Sequence, residues 1–99
     1  MTPEGKVKAR IKRILIREGV YSEMPVPSGY GKSGLDYNCC VCGFWLSIEA
    51  KAPGKKPTKR QLATMRAIRK AGGVAIVCDG NYEIVENAIR RLKHGATKC

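Results

Sequence analysis

The stretch Phe44-Trp45-Leu46-Ser47-Ile48-Glu49-Ala50-Lys51 decides how this chain is read. It is apolar and aromatic, as a buried strand would be, yet it ends with an acid and a base two positions apart. Side chains alternate faces along a strand, so Glu49 and Lys51 point the same way, roughly 7 Å apart at about 3.3 Å per residue, and Ala50 faces the opposite side. Asp36 stands thirteen positions before Glu49. A glycine-containing turn between the two segments lets them pair as a hairpin, which brings Asp36 toward Glu49. Two neighbouring carboxylates repel unless a cation neutralises them. A divalent ion such as Mg2+ or Mn2+ does so, and Lys51 beside it would stabilise charge on a bound phosphate or water.

Outward from this core the chain reads as α/β, in the order α-β-β-β-α-β-α around one mixed central sheet flanked by helices. Thr2 as N-cap, Pro3 and Glu4 announce a first helix that Gly19 ends, with Val7, Ile11, Ile14 and Leu15 as its buried stripe. Residues Tyr21 to Val26 form a short strand that Pro25 and Pro27 confine to an edge. Thr58 caps a second helix and Gln61 completes a capping box, with Leu62, Met65 and Ile68 packing inward until Gly72-Gly73. Val74 to Cys78 is a continuous apolar strand consistent with burial on both faces, and Tyr82 to Lys93 a last helix around Val85, Ala88, Ile89 and Leu92. The whole of 1–99 is one domain with a loose tail over about 95–99.

Nineteen Lys and Arg against eight Asp and Glu give a formal charge of +11, which makes a polyanion, above all nucleic acid, the leading partner. Lys6, Arg10, Arg13 and Arg17 recur along the first helix, beside Lys8 and Lys12; such a stripe is either a solvated face or a seat for a phosphate backbone. Tyr30 and Lys32 in the glycine-rich loop Gly29 to Gly34, and Lys55 and Lys56 in the turn after Lys51, are further candidate DNA contacts. The loop lacks P-loop spacing. No run approaches the roughly 20 apolar residues of a membrane span and no signal peptide opens the chain, so a cytoplasmic location without membrane contact is expected.

Cys39 and Cys42 form a C-x-x-C, but no second close pair accompanies it, which favours core cysteines over zinc. Disulfides are not expected in a reducing compartment.

The ordered set of Glu4, the glycine-rich loop, Asp36, Glu49-Ala50-Lys51 and Gln61 resembles the virus-type replication-repair nuclease (VRR-NUC) family of the PD-(D/E)xK superfamily, over about Thr2 to Asp79. Leu35 stands where that family usually has proline. The resemblance implies a restriction-endonuclease-like fold and a Mg2+ or Mn2+ dependent DNA endonuclease. Asp36, Glu49 and the Ala50 carbonyl would hold metal, and Lys51 would orient or activate water or neutralise charge. It also implies an active-site role for Gln61 and a supporting role at the metal for Glu4. From the residues alone, Gln61 is equally a helix cap and Glu4 a match for the helix dipole. Stand-alone members act as homodimers on branched DNA, so a Holliday-junction resolvase is the leading expectation. A flap or fork nuclease, or a noncatalytic basic module binding nucleic acid, is the alternative.

Overall fold

The computed structural model describes residues 1–25 and 34–99. The expected order α-β-β-β-α-β-α is present: α1 (Pro3–Arg17), β1 (Tyr21–Glu23), β2 (Tyr37–Val41), β3 (Phe44–Ala50), α2 (Lys59–Lys70), β4 (Val74–Cys78) and α3 (Glu83–Gly95). The candidate contacts Tyr30 and Lys32 lie outside the described residues.

The four strands lie side by side in chain order. β1, β2 and β3 are antiparallel, and β4 runs parallel to β3 after the α2 crossover. Cys42 (φ 52) and Gly43 (φ 88) make the tight β2–β3 turn, both at the positive φ that a two-residue hairpin of this hand requires. That turn fixes the register Val41 to Phe44 and Tyr37 to Ile48. Extended by one residue, the same register sets Asp36 opposite Glu49.

Alternation divides the sheet into two faces. Tyr37, Cys39, Val41, Leu46, Ile48, Ala50 and Cys78 meet Val7, Ile11, Ile14 and Leu15 of α1 and Val85 and Ile89 of α3 in the main core. On the other face Ala75 and Val77 of β4 pack with Leu35 and with Met65 and Ile68 of α2. The result is three layers, helices on both faces of a mixed sheet.

Several expectations are corrected. Leu62 is 45 % exposed, because the inward stripe of α2 runs through Gln61, Met65 and Ile68 at helical spacing and Leu62 lies off it. Phe44 and Trp45 are exposed although they sit in the apolar run: alternation sends them to opposite faces, Trp45 beyond the β4 side that α2 covers and Phe44 at the start of β3 on the α1–α3 face. β4 is flanked by helices on both faces but forms the sheet edge, where Arg69 Nη2 donates to the Ala75 carbonyl at 2.7 Å and occupies one outward-facing acceptor.

The cysteine reading is corrected in part. Cys39 and Cys78 are buried, and burial pushes the Cys39 thiol up to about 12. Cys40 is exposed, because alternation turns it to the open face. Cys42 and Cys99 are joined in a disulfide across 57 residues, so the C-terminal tail is tied to the β2–β3 turn. Sequence spacing gives no hint of that pair, because only the folded chain returns Cys99 to the hairpin.

Candidate active site

β3 ends on the acid and base that the sequence singles out. Glu49 is buried, with 4 % of its surface exposed, and its carboxylate Oε2 accepts from Gln61 Nε2 at 2.9 Å and lies 3.4 Å from Lys51 Nζ. Asp36 enters from the segment just before β2. Its Oδ2 accepts from the Ala50 backbone N–H at 2.8 Å, which fixes the carboxylate against the end of β3. Lys51 N donates instead to the Cys78 carbonyl on β4 at 2.9 Å, so the backbone groups of Ala50, its carbonyl included, project to the Asp36 side.

The hairpin register sets Asp36 opposite Glu49, and the Asp36 charge acts on the Glu49 carboxyl. Burial first, and the Asp36 charge second, raise the Glu49 carboxyl from its ordinary 4.5 to about 7, against the opposing pull of Lys51. Two acids brought together at a partly buried strand end favour a bound cation there.

Gln61 reaches Glu49 from the first turn of α2. Thr58 Oγ1 accepts the Gln61 N–H at 3.1 Å and Gln61 Oε1 accepts the Thr58 N–H at 2.9 Å, a complete capping box. The cap uses the amide oxygen and leaves the amide nitrogen for Glu49. The cap and a hydrogen bond to Glu49 are therefore present in one side chain.

Glu4 does not meet Asp36 directly. Lys8 Nζ lies 3.5 Å from Glu4 Oε2 and 3.4 Å from Asp36 Oδ1, a cation shared between two acids. Burial works against the Lys8 charge, but Asp36 and Glu4 outweigh it and raise its proton affinity. Lys8 is the residue that sequence reasoning counted among solvated cations and missed as part of the site. Its placement depends on Tyr37, the neighbour of Asp36, whose hydroxyl on the opposite sheet face donates to the Lys8 carbonyl at 2.9 Å and fixes the helix against β2. The one available signal was the i, i+4 spacing of Glu4 and Lys8.

Lys6, Arg10, Arg13 and Arg17 of α1 lie apart from this cluster. At about 100° per residue, Lys6, Arg10 and Arg13 fall some 140–160° around the helix from Lys8. There they line a groove with Met1, Ala9 and Tyr82, and the Arg10 guanidinium sits 5.0 Å from the Tyr82 ring centre. Arg17 pairs with Glu86 at 2.7 Å and serves the α1–α3 contact. Lys55 and Lys56 are exposed in the turn leaving β3.

Among the described residues, no three His, Cys, Asp or Glu side chains converge as a ready cage. The pair Asp36 and Glu49 supplies two hard oxygen donors side by side. Mg2+ and Mn2+ are bound in this way, by one or two carboxylates with water and phosphate completing the octahedron. The donor chemistry and the raised proton affinity of Glu49 both fit such an ion.

No family model, no curated protein and no solved structure matches the chain. No described helix is long and apolar enough to cross a membrane.

Proposed function

We propose that this chain is a Mg2+ or Mn2+ dependent endodeoxyribonuclease of the PD-(D/E)xK kind with a restriction-endonuclease-like core, and that as a homodimer it resolves four-way DNA junctions in the cytoplasm, where the reducing milieu would open the Cys42–Cys99 pair to thiols. The observation that carries the reading is the meeting of Asp36, Glu49, Lys51 and Gln61 at one end of β3, two acids with a lysine and an amide bonded to the same Glu49 oxygen. Ion pairing alone would not require burying Glu49 opposite a second acid, a placement that costs free energy.

When bound, the cation supplies Lewis-acid stabilisation of the charge that develops on the scissile phosphate and makes water more acidic. Asp36 and Glu49 hold it, with the Ala50 carbonyl on the same side. Lys51 places a compact ammonium beside the reacting phosphate, where it orients water or offsets developing charge. Gln61 fixes the Glu49 rotamer through the rigid start of α2. The surplus of basic residues, Lys55, Lys56, Lys6, Arg10 and Arg13 among them, provides broad affinity for the DNA backbone.

The resolvase assignment rests on the VRR-NUC resemblance and on symmetry: two sites related by a two-fold axis can cut opposite strands of a branch together. The test is a panel of four-way, flap, forked and linear DNA of matched length, with the active species sized by sedimentation. A dimer that cuts the four-way junction fastest supports resolution. A monomer that cuts flaps or forks best leaves the nuclease and removes the resolvase.

A further inference from the structure

Among the described residues, the face of the sheet that carries Asp36 and Glu49 is only half covered. α2 closes the β4 side, and the register places Tyr21, Cys40 and Trp45 in one row across β1, β2 and β3 on the remainder. All three are exposed, Tyr21 by 66 % and Trp45 by 51 %. The next row runs Glu23, Asn38, Ser47, and Asp36 with Glu49 follows in the row after that. The aromatic row and the acidic site therefore share one surface, with Trp45 and Glu49 four residues apart on β3. At about 3.3 Å per residue that is about 13 Å, on the order of four stacked nucleotides at about 3.4 Å each.

Trp45 is exposed but not loose. Its only polar atom, Nε1, donates to Ser47 Oγ at 2.8 Å, and the buried Ser47 hydroxyl donates to Asn38 Oδ1 at 2.9 Å. The indole also lies against Gly73, where a Cβ would meet Trp45 Cδ1 at 3.0 Å and Ile68 Cγ2 at 2.9 Å, so the absent side chain makes room for the ring at the border of α2. The Tyr21 hydroxyl is held by Glu23 Oε1 at 2.6 Å. An exposed ring with its polar atom already bonded has only its apolar face to offer a partner. α2, which borders this face, exposes Lys59, Arg60, Arg66 and Lys70 and has no acidic residue.

We propose that the Trp45 face is a base-stacking subsite for an unpaired DNA strand: the indole takes the face of one nucleobase, Tyr21 flanks it, and the α2 cations follow the backbone. Aromatic platforms edged by cations bind single strands in this way without reading sequence. Paired bases keep their faces inside the duplex, so this subsite selects DNA with unpaired or splayed bases near the cut. The direction from Trp45 to the acidic pair as the path of the strand rests on the nuclease reading; the stacking itself does not.

Trp45 is the single tryptophan of the chain, so its emission reports this subsite alone. The full-length protein is titrated in EDTA, where a metal-dependent nuclease stays silent, with a twelve-nucleotide oligothymidylate and with a blunt duplex of equal length. Anisotropy of the labelled DNA is followed in parallel for wild type, Trp45→Ala and Trp45→Phe. Expected are saturable quenching by the single strand, a single-strand affinity lowered on the order of tenfold in Trp45→Ala and largely restored in Trp45→Phe, and duplex affinity within about twofold throughout. Single-strand binding without quenching, equal single-strand affinity in a folded Trp45→Ala, or no binding to either DNA overturns the subsite. So does Trp45 emission that shifts with protein concentration in the absence of DNA, which assigns the face to contact between copies. Quenching with no cleavage of any DNA in Mg2+ or Mn2+ keeps the subsite and removes the nuclease; cleavage without quenching does the reverse.

Discussion

The Gln61 side-chain amide donates to Glu49 Oε2 at 2.9 Å while its carbonyl oxygen accepts the Thr58 backbone N–H at the same distance. One residue thus anchors the start of α2 and the buried acid of β3. Helix geometry makes the double role possible, because Gln61 lies on the inward stripe with Met65 and Ile68.

The two roles separate by mutation. Thr58→Ala removes the cap hydroxyl and costs about 1 kcal/mol of stability with turnover retained. Gln61→Ala loses the same cap and also frees the Glu49 side chain, so turnover of folded protein falls as well. Melting and steady-state cleavage measured on both variants check this; equal turnover in the two would make Gln61 a cap alone.

In the proposed site Lys8 would compete with a metal for Asp36. Lys8→Met removes the ammonium 3.4 Å from Asp36 Oδ1, and Mn2+ should bind this variant more tightly by calorimetry. The stability change should stay within about 1 kcal/mol, because the pair is partly solvated. Weaker Mn2+ binding in a folded Lys8→Met would mean that Lys8 supports the metal site instead.

Proton linkage at Glu49 gives a signed expectation. Its carboxyl in the folded protein titrates at about 7 against an ordinary 4.5, so the folded state holds the proton more tightly. Stability is then fullest below about pH 4.5 and declines as pH rises toward 7, by on the order of 2–3 kcal/mol for this group. Glu49→Gln should flatten that decline in metal-free protein. Mg2+ should stabilise wild type more at pH 7.5 than at pH 5, since the ion binds the ionised form. Thermal melts across pH, with and without metal, read both effects.

The outline of the fold was legible because local rules agreed with it: Thr2 and Thr58 cap, Val7, Ile11, Ile14 and Leu15 bury, and Val74 to Cys78 forms a strand. Asp36, Glu49, Lys51 and Gln61 were legible because their spacing already implies a hairpin followed by a helix. What escaped is tertiary. Lys8 joins the site only once α1 docks on the sheet, through Val7, Ile11, Ile14 and Leu15 and the Tyr37 hydroxyl. Trp45 reads as core in a pattern of hydrophobicity, yet α2 is too far toward β4 to cover it. Cys99 meets Cys42 only after the chain has closed.

That disulfide is itself checkable. A non-reducing digest of unreduced protein should yield a Cys42–Cys99 linked peptide, with Cys39, Cys40 and Cys78 as free thiols. Cys99→Ser should lower stability by about 2–4 kcal/mol in non-reducing buffer and by nothing further in reductant. Stoichiometric zinc in the purified protein would contradict this assignment of the cysteines.

The central claim is that Asp36 and Glu49 form a metal-dependent nuclease centre, and single-turnover cleavage of labelled four-way junction DNA tests it most directly. Wild type, Asp36→Asn, Glu49→Gln and Lys51→Ala are compared at saturating protein in Mg2+, in Mn2+ and in EDTA, with junction affinity measured alongside. Wild type should cut only with metal, and each variant should lose at least about a hundredfold in rate, on the order of 3 kcal/mol of transition-state stabilisation, while binding the junction within a few-fold of wild type. Undiminished cutting by folded Asp36→Asn or Glu49→Gln, or cutting by wild type in EDTA, would contradict the account.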